Sequence, residues 1–322
     1  MAEDKFIYAV ARVRTKELSL FNAQTVEQLM ACKSYEECLK FLAERGWDTG
    51  AEGGAAGMLA SEREKTLDFI SDIAGKQPDF NVLLYKNDFH NLKAAIKQVC
   101  TQAETPGIFF SHGTVSTDTI LKAVKEHDFS MLPEQMRTAG QEAYETLLHT
   151  HDGQLCDVIL DRAALDAIYS AGKKSGNEVI KQYAELTVAE SNIRIAVRSA
   201  MTGKKRDFLE RALAPCDTLD VKQLAVAATS GIDEICAYLA ATPYDRAVPA
   251  LKKSLAAFEC WCDNALIERI RPQKYNPFTV APIAAYLLAR ENEINMVRII
   301  LSGKLNNLSD TSVRERLRET YV

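Results

Sequence analysis

With 322 residues, 47% of them hydrophobic, the chain holds more apolar material than one core usually absorbs, which excludes a disordered protein. Its 39 basic and 44 acidic residues are interspersed and sum to a formal charge of -5. No basic block is present to neutralise phosphates, which excludes nucleic-acid binding and direct anchoring on anionic lipid.

The opening Met1-Ala-Glu-Asp-Lys5 lacks the apolar core of a signal peptide. A spanning helix needs about 20 apolar residues. The longest charge-free stretch, 275–289, has 15 residues and two prolines. A soluble cytoplasmic protein is expected, brought to any membrane by another protein. Eight scattered cysteines fit a reducing compartment as small apolar residues, and Cys260-Trp261-Cys262 lacks CxxC spacing.

Helical patterning runs throughout, without alternating strands, so the expected fold is all-α. Capped helices should open at Thr25, at Thr117-Asp118 and at Asp220, because their side-chain oxygens accept first-turn N–H groups. Short breaks follow at Lys33-Ser34, His127-Asp128 and Ser230-Gly231. Then come a longer helix and a glycine- or proline-bearing interruption: Gly75-Lys-Gln-Pro78, Gly172-Lys-Lys-Ser-Gly176 and Arg271-Pro272 through Pro277. Gly50-Ala-Glu-Gly53-Gly54-Ala-Ala-Gly57 has no counterpart elsewhere and reads as a mobile loop or insertion.

After each interruption one phrase recurs: Asp88-Phe-His-Asn91-Leu-Lys93, Glu190-Ser-Asn192-Ile-Arg194 and Glu293-Ile-Asn295-Met-Val-Arg298. The asparagines lie 101 and 103 residues apart, a period that divides the chain into related helical units 1–112, 113–212 and 213–322. Asparagine is a mediocre helix former, so its return beside aliphatic neighbours implies a half-buried amide that bonds a neighbouring segment. The preceding acid is expected near the helix start, complementing the dipole. The tail from Leu308 resembles the opening of a fourth unit and should pack on the stretch from Phe6 to Arg14.

Little in the chain points to chemistry. Gly-Lys pairs at 75–76, 172–173, 203–204 and 303–304 lack the upstream glycine and following Ser or Thr of a phosphate loop, and read as helix ends. His149-Thr-His151-Asp152 is the best candidate for a metal, yet no further spaced histidines complete it and a polar turn is favoured. Ser111-His112 lacks a nucleophile elbow. Phe109-Phe110 and Tyr275/Phe278 read as core, and residues 314–319 as a solvated charged face. No cofactor, metal or small-molecule substrate is implied.

The ordered set Tyr8-Ala-Val-Ala-Arg12-Val-Arg14-Thr-Lys-Glu17, Tyr35-Glu-Glu-Cys-Leu39, Tyr85-Lys-Asn-Asp88-Phe-His-Asn91, the two later Asn phrases and Arg314-Glu-Arg-Leu-Arg-Glu-Thr-Tyr-Val322 resembles a known family. It is similar to the C subunit of the V-type and archaeal-type ATPases and ATP synthases, the counterpart of the d subunit in the eukaryotic V-ATPase. The resemblance implies three similar helical domains in a pseudo-threefold funnel. It implies a non-catalytic socket between the central shaft, built of the D and F subunits, and the membrane rotor ring. Such a socket turns with both and passes torque for H⁺ or Na⁺ transport at the cytoplasmic face. Arg12, Arg14 and Glu17 are then expected to form an inter-unit tie or interface. Two other readings are a generic helical-repeat adaptor, whose usual periods of about 34–47 residues fit poorly, and a metal-dependent hydrolase using His149, His151 and Asp152.

Overall fold

The computed structural model describes residues 6–75, 78–103 and 105–322. Residues 1–5, and the Lys76-Gln77 part of the first interruption, lie outside them. The described residues are helical and contain no strand. The chain opens with α1 (Ile7–Glu17), α2 (Ala23–Ala31), α3 (Tyr35–Ala43) and α4 (Gly54–Ala74). It continues with α5 (Asn81–Thr101), α6 (Thr117–Lys125), α7 (Glu134–Thr150), α8 (Gly153–Lys174), α9 (Glu178–Thr202), α10 (Arg206–Ala212), α11 (Val221–Ser230) and α12 (Ile232–Leu239). Last come α13 (Val248–Lys253), α14 (Leu255–Ile270), α15 (Ala281–Leu305) and α16 (Asp310–Arg314).

Two compact units emerge. One joins residues 1–77 to residues 249–322; the other holds residues 78–248. In the first, Leu29 and Met30 of α2, Leu42 of α3 and Met58 of α4 pack with Ile300 and Leu301 of α15 and Val313 of α16. The ends of the chain therefore share one core. In the second, Leu92 and Ile96 of α5, Ile120 and Val124 of α6, Met136 of α7 and Leu160 of α8 are fully enclosed. Each such side chain contributes about 1.5–3 kcal/mol by leaving water.

Caps set where these helices begin. Ser34 accepts the Glu37 N–H while the Glu37 carboxylate accepts the Lys33 N–H at 2.6 Å, two orphan donors satisfied at one end of α3. Asp220 caps α11 as its sequence position predicts. For α2 and α6 the caps are Asn22 and Ser116, not Thr25 and Thr117-Asp118. In both, the predicted Thr lies within the first turn, where its N–H or that of Thr119 is the group being capped.

One glycine reading changes. Residues 54–57 are the first turn of α4 rather than a loop. The Glu52 carbonyl passes so close to Gly57 that any Cβ there would strike it. Gly172 and Gly303 lie in the last turns of α8 and α15, with Lys173 and Lys304 beside the helix ends as read, and both are crowded as well: a Cβ would collide with Ala184 of α9 or with Val313 of α16. Close approach of a neighbouring element therefore favours glycine at these two places. Tyr275 and Phe278 are also exposed, at 88% and 53%, and are not core. Among the described residues no helix is long and apolar enough to cross a membrane.

Candidate functional site

The buried polar residues gather on the long helices α5, α9 and α15, where the repeated asparagines were expected to act. On α5, Asn91 is fully buried and clasps both backbone groups of one residue. Its Nδ2 donates to the Phe110 carbonyl and its Oδ1 accepts the Phe110 N–H, each at 2.9 Å. One turn earlier Asp88 accepts the Thr114 and Val115 N–H groups at 2.8 and 3.2 Å and the Thr114 hydroxyl at 2.6 Å. His90 bonds the Ile108 carbonyl and Asn87 donates to that of His112. Four side chains of one helix thus stitch down the segment 108–115. Burial pushes the Asp88 carboxyl above its ordinary range, opposed by those three donors.

The same clasp recurs on α9. Asn192, fully buried, donates to the Ala214 carbonyl at 2.7 Å and accepts the Ala214 N–H at 2.9 Å. Glu185 accepts the Thr218 N–H and hydroxyl at 2.8 and 2.6 Å and the Asp217 N–H at 3.1 Å. In both clasps the acid holds the residue four positions after the one that the amide holds. A longer acid, one turn further back, does on α9 what Asp88 does on α5. Glu190, the acid of the repeated phrase, instead pairs with Arg194 at 3.8 Å.

On α15 the register shifts by a turn. Asn295 is half-buried, and its Oδ1 accepts from Arg298 of its own helix at 3.2 Å. The buried amide is Asn292, which donates to the Glu319 carbonyl at 2.9 Å. The Glu319 N–H is in turn held by Asn264 of α14 at 2.8 Å. Glu293 is 2% exposed and accepts the Phe21 N–H at 2.5 Å. Arg290 joins it to Glu62 of α4, lies over the Trp47 ring, and leaves Glu62 also paired with Lys65. Burial pushes the Glu293 carboxyl up to about 7 against the pull of Arg290. Asp88, Glu190 and Glu293 all stand mid-helix, so none complements a helix dipole from a first turn.

Arg14 and Glu17 bind the start of the chain to its end. The Arg14 guanidinium donates to Glu17 and to the Gln273 and Asn276 carbonyls at 2.6 and 3.0 Å, and the buried Tyr321 hydroxyl donates to Glu17 at 3.2 Å. Arg12 instead makes an exposed bond to Asp72 at 2.6 Å.

His149, His151 and Asp152 form a helix-to-helix turn. His151 has a φ of 55° at the end of α7, and Asp152 caps α8 through the Leu155 N–H. Among the described residues no group of three or more His, Cys, Asp or Glu side chains is placed to hold a metal ion. All eight cysteines are free, and burial pushes the Cys38 thiol up to about 12 and those of Cys156 and Cys216 to about 11.

The arrangement is a set of backbone-gripping clasps and ion pairs. The model of the ATP synthase (C/AC39) subunit family matches residues 9–316, spanning every clasp. The chain belongs to that family. It is similar to the C subunit of the V-type sodium ATPase of Enterococcus hirae, 21% identical over 96% of this chain and 97% of the relative. It is likewise similar to the C subunit of the V-type ATP synthase of Thermus thermophilus, 22% identical over 98% and 99%. The C subunit of the A-type ATP synthase of Methanocaldococcus jannaschii is 22% identical over 97% and 86%. This member of the family carries two side chains, Glu185 and Asn292, that its sequence alone did not single out. Their only signal is helical spacing from Asn192 and Asn295, which fits several register choices equally.

Proposed function

We propose that the chain is a non-catalytic central-stalk component of a rotary V-type ATPase or ATP synthase. It would link the D–F shaft to the membrane rotor ring and pass torque between them for proton or sodium transport. The observation that carries this is family membership over residues 9–316, with relatives matched over nearly their whole length that are named as the C subunit of such complexes. On this reading three related helical parts, 1–112, 113–212 and 213–322, stand around a pseudo-threefold axis as a funnel. Asn91, Asn192 and the Asn292/Asn295 stretch serve as packing pins, with Arg14 and Glu17 as the tie that joins first to last. The protein works at the cytoplasmic face, held by the ring and not by a lipid anchor.

Stiffness supports the role. A spacer under torque must not absorb the twist in its loops, and the clasps on α5 and α9 fasten the segments that would otherwise yield. Binding of the purified chain to the D–F shaft and to the detergent-solubilised ring should be measured separately, together with ATP hydrolysis by the chain alone. Association with both and no hydrolysis are expected; failure to bind either rejects the proposal.

A further inference from the structure

Two of the eight free cysteines, Cys32 and Cys38, meet across the turn between α2 and α3. Cys32 closes α2, and its N–H donates to the Leu29 carbonyl at 3.3 Å. Cys38 lies one turn into α3 and its Sγ donates to the same carbonyl at 3.7 Å, while the Cys32 Sγ donates to the Gln28 carbonyl at 3.6 Å. Both side chains thus converge on the last turn of α2, and the two sulfurs lie within hydrogen-bond reach of each other. The turn that joins them is short and fixed at both ends: Ser34 caps α3 and Glu37 holds the Lys33 N–H.

The pair is asymmetric. Cys38 is 0% exposed in the core shared by α2, α3 and α15, whereas Cys32 is 7% exposed and adjoins the exposed Lys33-Ser34 turn. Burial pushes both thiols up, that of Cys38 to about 12, while a hydrogen bond from Cys38 pulls Cys32 back down. Lys304, whose ammonium donates to the Met30 carbonyl at 2.8 Å, favours the thiolate of either cysteine, and Glu37 opposes it. Cys32 is therefore the sulfur that a reagent meets first and that ionises first, with Cys38 behind it as the resolving thiol.

We propose that Cys32 and Cys38 form a reversible redox-modification site, closed to an internal disulfide by a small disulfide of the glutathione class. The Cys32 thiolate attacks one sulfur of glutathione disulfide, whose S–S bond breaks and releases one glutathione thiolate. Cys38 then gives up its proton and attacks the Cys32 sulfur, expelling the second glutathione thiolate. Two protein thiols are oxidised to one disulfide, and glutathione disulfide is reduced to two thiols that take up the two protons. Closure frees the Gln28 and Leu29 carbonyls of their thiol donors and ties the end of α2 to α3 covalently, beside the Lys304–Asp310 pair of α15 and α16. The site is independent of the stalk role.

Trypsin cuts after Lys33 and so separates the two cysteines, Cys32 into peptide 17–33 and Cys38 into peptide 34–40. The folded full-length chain is equilibrated in a series of glutathione buffers from reduced to oxidised, its free thiols are blocked, and the digest is read by mass spectrometry. Peptides 17–33 and 34–40 should appear joined in buffers that still leave Cys216 a thiol, because the neighbours of Cys216, Asn192 and Leu219, offer it no sulfur. Dithiothreitol should restore both thiols. In Cys38→Ala, glutathione should stay attached to Cys32; in Cys32→Ala, Cys38 should take it up about tenfold more slowly than that. Oxidation of Cys216 before any joined peptide forms overturns the proposal, and this wild-type measurement decides the matter even if a variant fails to fold. Equal uptake by Cys38 in Cys32→Ala and by Cys32 in Cys38→Ala overturns the assigned order of attack.

Discussion

Asn192→Ala offers the sharpest test of the clasp. The amide bonds both backbone groups of one residue, the N–H and C=O of Ala214, and Asn192 and Ala214 are each 0% exposed. Truncation leaves that N–H and that C=O unpaired where water does not reach. Each orphan costs about 1–3 kcal/mol, so a loss of about 3–4 kcal/mol is expected for the pair. Asn91→Ala breaks the same two bonds, but Phe110 is 42% exposed, so water can re-pair its peptide and about 1–2 kcal/mol is expected. Asn295→Ala loses one bond to Arg298 at a half-buried site and should stay within about 0.5 kcal/mol. Urea unfolding of the full chain gives the ranking. Hydrogen exchange of the Ala214 amide gives the local effect, expected to quicken about a hundredfold in Asn192→Ala at ~1.4 kcal/mol per decade. A variant with wild-type stability and a still-protected Ala214 amide would refute the argument, as would Asn295→Ala proving the costliest of the three.

Other outcomes are equally specific. The raised Glu293 carboxyl means that the folded state holds its proton more tightly than the unfolded chain. Its contribution is therefore fully present below about pH 4.5 and lost as pH rises through about 7. Stability relative to Glu293→Gln should fall by up to about 3 kcal/mol across that window, read from tryptophan emission in urea; parallel profiles would refute it. Gly172→Ala should cost about 1–3 kcal/mol by forcing α8 off Ala184, and adding A184G should restore most of it in thermal unfolding; a purely additive double variant would count against close approach. Arg14→Ala strands two carbonyls and Glu17 and should lose about 2–3 kcal/mol, against about 1 for Tyr321→Phe; equal melting temperatures for the two would contradict this.

Much of this fold is legible in the sequence because helix signals are local. Ser34, Asp220 and the break at Ser230-Gly231 act within a few residues of themselves, and they act where they were read. What escaped depends on distance. Nothing near Gly172 or Gly303 shows that α9 or α16 presses on it, so their crowding is not readable from their neighbours. Tyr275 and Phe278 carry the composition of a core and lie on the surface, because burial depends on what the fold brings over them. The sequence places a polar residue on Asn292 and on Asn295 alike, and only the packing of the tail on α15 selects the former.

The clasps explain why half of each was hidden. Asn91 and Asn192 grip the N–H and C=O of one residue, and every non-proline residue offers the same two groups. The gripped residue is Phe110 in one clasp and Ala214 in the other, side chains with nothing in common. For the amide contact only the gripping side leaves a mark in the sequence. The acids differ: Asp88 and Glu185 also bond the hydroxyls of Thr114 and Thr218, spaced alike from the gripped residue, but start from different turns of their helices. A backbone-reading clasp lets the held segment vary while its path stays fixed. On the proposed central-stalk role that is a useful separation, because the surface of such a segment can be suited to a partner without loosening the helix beneath it. Substituting the exposed Phe110 with other non-proline residues, or the enclosed Ala214 with Gly or Ser, should accordingly disturb the fold far less than removing the amide that holds them, and if the two prove equally damaging in hydrogen exchange, side-chain packing and not the clasp holds these segments.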